Sequence, residues 1–214
     1  MSQIIWIARH ANRLDFVNPD WFLTAERRYD PPLSEDGHMQ AKQLANRLKD
    51  EKIHHIFASP FLRTVQTAHA VADVLNLQIK LETGLSEWLN PDWMDSEPER
   101  HSISELLEFY PRINTSYTPQ IAAKYPETRA QVRARAGQTA RCLSTEYSPE
   151  NILLVGHGAS VNGAVMGLAG DIYTAEKVRL CSLFKLVRQH PEWWIELKGD
   201  TSHLTEVEEM IRFN

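Results

Sequence analysis

The chain has 214 residues, 43% hydrophobic and 24% charged, with a formal net charge of −5. This length can bury a sizeable core, so neither a metal nor a disulfide is needed for stability, and the acidic balance (pI near 6.0) argues against a general nucleic-acid surface, which needs a clustered basic excess. No stretch reads as an amphipathic helix rich in Lys and Arg on one face, and no apolar run approaches the roughly 20 residues of a membrane span; the expectation is a soluble, cytoplasmic protein without nucleic-acid or membrane partners.

Ile4 to Ala8 is a short apolar run with β-branched residues, too short for a signal peptide and ended by charge. It reads as a strand buried on both faces. Leu14 to Pro32 shows no period and carries Trp21, Phe22 and Tyr29, which predicts a long loop of the kind that is often functional. Ser34 is a candidate cap for a helix whose Ala41, Leu44, Ala45 and Leu48 recur at i, i+3, i+4 and i+7. Ile53 to Ala58 is the next predicted strand. Ser59 and Pro60 suit the N-cap and first turn of a helix striped by Phe61, Val65, Ala68, Ala72 and Leu75. Gln78 to Glu82 alternates and predicts a third strand.

Leu85 to Pro126 breaks the pattern. It is rich in aromatics and prolines, with periodicity only around Ser102 to Phe109, and reads as a cap inserted into a single domain spanning 1–214. Glu127 to Glu146 predicts a helix buried through Val132, Ala136, Thr139 and Leu143. "NILLVGHG" is a buried strand ending in a glycine-flanked histidine, and a small-residue helix, Ala159 to Leu168, follows. Cys181 to Gln189 and Trp193 to Lys198 predict two late strands, a hairpin across His190-Pro191-Glu192. Cys142 and Cys181 are far apart with no C-x-x-C pair, so two unpaired thiols are expected. Alternating strands and helices predict an α/β, three-layer fold with a mostly parallel central sheet and helices on both faces.

In such sheets ligands sit at the carboxyl ends of the strands, and three predicted strand ends carry unusual chemistry. Arg9, His10 and Arg13 follow the first, Arg63 opens the helix after the second, and His157 stands between two glycines after "NILLV". If these ends are neighbours, three arginines surround two imidazoles. Guanidinium forks match phosphate oxygens, and nearby positive charge lowers the histidine pKa values, leaving the lone pair that a nucleophile requires. A solvated loop is the plain alternative for each piece taken alone.

"ARHANR", "SPFLRTVQTA", the Glu87-Trp88 pair and "LLVGHGASV" resemble the successive motifs of the histidine phosphatase superfamily, the phosphoglycerate-mutase-like proteins; "PLSEDGHMQA" and the late "DTSHL" resemble two further segments. The likeness runs from about residue 4 to 204. It implies a phosphomonoester hydrolase in which His10 is the nucleophile and forms a phosphohistidine. Arg9, Arg63 and His157 hold the phosphate, and Arg13 matches a further arginine of one phosphatase branch. Glu87 is implied as general acid and then base, a task calling for a raised pKa, which aromatic surroundings could supply by desolvation. The resemblance implies no cofactor and no metal. It leaves open a homodimer, and either a small phosphorylated substrate or a phosphoprotein.

Two positions depart from the family pattern. Ala11 replaces the usual glycine after the nucleophile, harmless at negative φ and costly at positive φ, and Asn12 stands where many members have glutamate. Arg13 is followed by "LDFVNP" rather than the mutase pattern, which favours a phosphatase. A phosphoglycerate-type mutase and a catalytically inactive phosphate-binding module remain as alternatives. A metal hydrolase is disfavoured: His54 and His55 are adjacent, and no H-E-x-x-H or H-x-H spacing occurs. Trp21, Phe22, Tyr29, Trp88 and Trp93 either contact an apolar leaving group or simply pack the cap.

Overall fold

A computed structural model describes residues 2–170, 173, 176–189 and 191–205. Six strands form one sheet: β1 (Ile4–Arg9), β2 (His55–Ala58), β3 (Ile79–Leu81), β4 (Ile152–Gly156), β5 (Leu183–Gln189) and β6 (Glu192–Asp200), in the order β3-β2-β4-β1-β5-β6. The run β3-β2-β4-β1 is parallel, and β5 and β6 add antiparallel at one edge. The predicted mostly parallel sheet is therefore present, mixed at one side by the late hairpin. His190, in the predicted hairpin turn, lies outside the described residues.

The central strands read as unbroken apolar runs because each face is covered. Successive side chains point to opposite faces, and the two cores divide accordingly. Trp6, Ala8, Ile56, Leu153 and Val155 pack against α2 (Glu35–Leu48) and α3 (Leu62–Leu75). Ile5, Ile7, Phe57, Ile152 and Leu154 pack against α5 (Arg129–Glu146) and α6 (Gly158–Ala169). Each of the Ile, Leu, Val and Phe side chains among them contributes about 1.5–3 kcal/mol by leaving water. Helix α5 crosses α6 almost backbone to backbone. A Cβ on Gly167 would lie 2.3 Å from the Cα of Gly137, so a single alanine there would push the two helices apart.

Leu14 to Pro32 is less irregular than its sequence predicts. It holds a 3₁₀ turn at Leu14–Phe16 and a single helical turn, α1 (Trp21–Thr24). Segment 85–126 contributes α4 (Ile103–Phe109), capped by Ser102 through a reciprocal box with Glu105. It does not stand apart from the body. Arg112 and Asn114 hydrogen-bond Ile79 on both sides, and Leu106 and Ile113 join the α2/α3 core. Its other end builds a small third core, in which Leu89 and Met94 pack with Phe61, Tyr29 and Tyr125. Cys142 and Cys181 are both free thiols. No helix among the described residues is long and apolar enough to cross a membrane.

The register brings the three strand ends together. Arg9 pairs with Gly156 across β1 and β4, and Ala58 pairs with Val155 across β2 and β4. The residues that follow β1, β2 and β4 therefore emerge side by side.

Candidate active site

His10 leaves β1 with its backbone held on both sides. Its N–H donates to the Gly156 carbonyl at 2.9 Å, and its carbonyl accepts from the Cys181 N–H at 3.0 Å. In the ring, Nδ1 lies 2.8 Å from the Ala11 carbonyl oxygen. A carbonyl can only accept, so Nδ1 carries the proton and Nε2 keeps the lone pair. Nε2 is buried and has no hydrogen-bond partner among the described residues. Burial is the main cause that drops the His10 pKa well below 6.5, and Arg63, Arg9 and His157 lower it further. The sequence predicts this direction from the arginines alone; desolvation comes first.

Ala11 has a negative φ, since Asn76 and Cys181 are the described non-glycine residues at positive φ. Its N–H donates to Thr67 Oγ1 at 3.1 Å. The missing glycine thus carries no conformational cost. Asn12 is structural: its side chain donates to Asp36 Oδ2 at 2.7 Å, and its N–H donates to Gln40 Oε1 at 2.9 Å. These bonds moor the loop to α2.

His157 ends β4 and precedes α6. Its Nε2 is 2.8 Å from Ser59 Oγ, and its Nδ1 lies 3.3 Å from Glu87 Oε2, an ion-pair distance without hydrogen-bond alignment. Burial lowers its pKa to about 4, against the opposing pull of Glu87. The two imidazoles meet edge to face at 5.2 Å. Of the two flanking glycines, Gly156 is the one with no room, because a Cβ there would lie 2.7 Å from Ser160 Oγ. Gly158 would meet Arg9 only at an ordinary 3.8 Å.

Arg63 is the second residue of α3 and 1% exposed. Its guanidinium is 3.2 Å from Glu87 Oε2, 4.0 Å from Asp30 Oδ1, and donates to the Tyr29 carbonyl at 3.3 Å. Burial lowers its pKa to about 10, with Arg13 adding to the drop, so it stays charged at neutral pH. Helix α3 starts two residues later than the sequence predicts. Ser59 is turned toward His157, and the carboxylate of Asp30 instead accepts the Leu62 N–H at 2.7 Å. That carboxylate occupies an N–H of the first turn that was expected to face an anion.

Arg13 presents its fork to Asp15: Nε is 2.6 Å from Oδ1, and a second contact joins the other nitrogen and oxygen. Its guanidinium lies over Phe16. Arg9 donates to the Val178 carbonyl at 2.7 Å. All the predicted site residues therefore converge.

Glu87 departs from the expectation. Burial does push its carboxyl upward, but His157, Arg63 and Arg13 pull harder, and its pKa lies well below 4.5. The aromatic wall does not raise it, because charges within ion-pair distance outweigh desolvation. One ring nitrogen each of His10 and His157 and one Glu87 oxygen lie within 4.8 Å of one another. That spacing could hold a cation, but the Arg63 guanidinium already sits on the same carboxylate and opposes a second positive charge.

The loop bearing Glu87 hangs on Arg135, a residue the sequence reading missed. Arg135 is 7% exposed and grips Glu127 with two bonds, at 2.6 and 2.7 Å. Its remaining N–H groups donate to the carbonyls of Gly84, Ser86 and Glu87 at 2.9–3.3 Å. A signal was there: 135 lies three residues after Val132 and beside Ala136, so a charged residue stands on the buried stripe of α5. Asp15, Asp30 and Ser59 were missed too, and no local pattern marks the two aspartates.

Above these groups opens a cavity of about 650 Å³. Arg9, Arg13 and Arg63 line its base, and Glu87 stands on its wall. Phe16, Phe22, Tyr29, Trp88, Trp93 and Met94 form an apolar wall, and Arg129 and Arg133 lie on its α5 side. Trp88 and Trp93 touch edge to face at 4.9 Å.

Three comparisons bear on this site. The family described as Histidine phosphatase superfamily (branch 1) matches residues 5–201. A protein named probable phosphoglycerate mutase GpmB, from Photorhabdus laumondii, is 34% identical over 193 residues, covering 82% of this chain and 84% of that protein. The ubiquitin-associated and SH3 domain-containing protein A of Homo sapiens is 31% identical over 154 residues, 66% of this chain and 23% of that protein. Among solved structures, an ecdysone phosphate phosphatase from Bombix mori in complex with tungstate superposes with a TM-score of 0.80 at 21% identity, covering 99% of this chain and 98% of that one. A phosphoserine phosphatase mutant from Entamoeba histolytica in complex with phosphoserine gives 0.64 at 19%, covering 94% and 99%.

Proposed function

This chain belongs to the histidine phosphatase superfamily, branch 1, and from that premise we propose that it is a phosphomonoester hydrolase working through a phosphohistidine on His10. The observation that carries the reading is the fixed tautomer of His10. Its Nδ1 proton is committed to the Ala11 carbonyl, so a neutral, buried Nε2 is left with its lone pair and, among the described residues, no partner. Nε2 attacks phosphorus as the ester P–O bond breaks. Arg9, Arg13, Arg63 and His157 hold the equatorial oxygens and offset the charge gathering on them.

The leaving oxygen takes its proton from Glu87. In the free protein that carboxyl is ionised, held by Arg63 and His157. A phosphate dianion binding beside it adds negative charge and draws those partners to its own oxygens. Both effects raise the Glu87 pKa toward the value that a general acid needs. After the alcohol departs, the carboxylate takes a proton from water, which attacks the phosphohistidine and releases phosphate. Cationic side chains supply the charge stabilisation, so turnover should persist in a chelator. The substrate is a small phosphorylated molecule or an exposed phosphorylated side chain that fits the cavity.

The test is rapid quenching, without acid, after mixing with a ³²P-labelled ester. Wild type should carry base-stable, acid-labile label, and His10→Ala should carry none. Binding of phosphate with no label and no release would instead mark an inactive module. A second reading, transfer of phosphate within a phosphoglycerate, draws support from the 34% identity to a protein of that name. Product analysis with 3-phosphoglycerate separates the two: hydrolysis liberates phosphate, whereas a mutase returns an isomer.

A further inference from the structure

Three carboxylates line the cavity, and each already faces a cation: Asp15 holds Arg13, Glu87 meets Arg63, and Glu176 lies 3.6 Å from Lys198. Arg129 and Arg133 line the same cavity and have no carboxylate within ion-pair distance among the described residues. They are i and i+4 on α5 and so share one face. The Arg129 guanidinium lies 6.0 Å from the Trp88 ring. Arg129 is exposed and Arg133 half-buried, so guanidinium N–H groups remain open to an anionic ligand group in the cavity.

Position follows from the helix packing. The Arg133 backbone abuts Gly163, six residues along α6 from His157. That is a rise of about 9 Å, one small-molecule length from the phosphate pocket rather than inside it. We propose that Arg129 and Arg133 form a second anion subsite at the leaving-group end of the cavity, selecting phosphomonoesters whose alcohol carries a distal carboxylate. The inference rests on the hydrolase reading for the orientation of the substrate. Trp88, beside Arg129, gives the body of the alcohol a flat apolar face, so a rigid ring bearing phosphate at one end and carboxylate at the other spans the two sites.

Calorimetry with two non-hydrolysable probes tests this independently of turnover: phenylphosphonate and 4-carboxyphenylphosphonate. Wild type should bind the carboxylated probe roughly tenfold tighter, the scale of a charge-assisted hydrogen bond, and the ratio should shrink as salt is raised. In the double variant Arg129→Gln/Arg133→Gln the ratio should fall close to one, while Arg133→Lys retains part of it. Equal binding of both probes by wild type, or an unchanged ratio in the double variant, overturns the subsite. Failure to bind either probe overturns it together with the phosphate pocket. A clear ratio in a protein that releases no phosphate from phenyl phosphate keeps the subsite and removes the hydrolase.

Discussion

The floor and the wall of the cavity are held in different ways. Under the floor, beneath the arginines that line it, His10 is pinned by backbone bonds to β4 and to Cys181, and His157 begins α6 directly from the sheet. These groups move only if the sheet moves. On the wall, Glu87 sits on a loop tied through the side chain of Arg135, and Tyr29 and Phe22 sit on a loop moored by Asp30 to α3 and to His101. An ion pair between Arg27 and Glu105 adds a second tie to α4. His10 is thus preorganised by main chain, and Glu87 by one buried guanidinium.

Breaking the wall's main tie should therefore have the largest effect. Arg135→Ala leaves Glu127 buried and unpaired, and we expect a loss of about 3–5 kcal/mol in urea unfolding. Turnover of esters with poor leaving groups should fall steeply, while labelling of His10 by an activated aryl phosphate persists. A loss under 1 kcal/mol would put the wall on the same footing as the floor. On the proposed mechanism, Arg63→Ala removes a phosphate donor that both regions share. It should lower kcat/KM about 10²–10³-fold, with Arg63→Lys recovering part, as measured by steady-state assay.

The floor has its own pH signature. The folded-state pKa of His157 is depressed, so the native protein refuses a proton that the unfolded chain accepts below pH 6.5. Stability should be full above that value and decline as pH falls toward 4. Between pH 7 and 4.5 the loss from this group is about 2 kcal/mol, and His157→Asn should remove that share of the slope of unfolding free energy against pH, leaving the part due to buried His10. A wild-type curve level across that range would show that His157 is charged in the folded state. The smallest effect belongs to the wall's rim. Trp93 is 60% exposed, so Trp93→Ala should cost under 1 kcal/mol in stability but change the ranking of aryl over alkyl phosphates a few-fold. Equal losses on all esters would assign the ring to packing against Trp88.

Much of this was legible before folding. Ile4 to Ala8 and Ile152 to Val155 announce doubly covered strands through unbroken apolar runs, and the motif residues at their ends converge because parallel strands place their carboxyl ends together. Less legible was the α3 start. Ser59 and Pro60 look like a cap, but the hydroxyl is claimed by His157 from 98 residues away. The direction of the Glu87 pKa was misread for a related reason: tryptophan neighbours are visible in sequence, whereas the distance to Arg63 is not.

The amino-acid order by itself determined the layers, the strand ends and the chemical character of the groups placed there, because periodicity and local composition act over a few residues. Tertiary structure alone decided which nitrogen of His10 is free, that the Glu87 carboxyl is held below its ordinary pKa, that Arg135 carries the Glu87 loop, and that Arg129 and Arg133 line the cavity with no carboxylate within ion-pair distance among the described residues. Those outcomes depend on burial and on separations of a few ångströms between distant segments, quantities that no local pattern encodes.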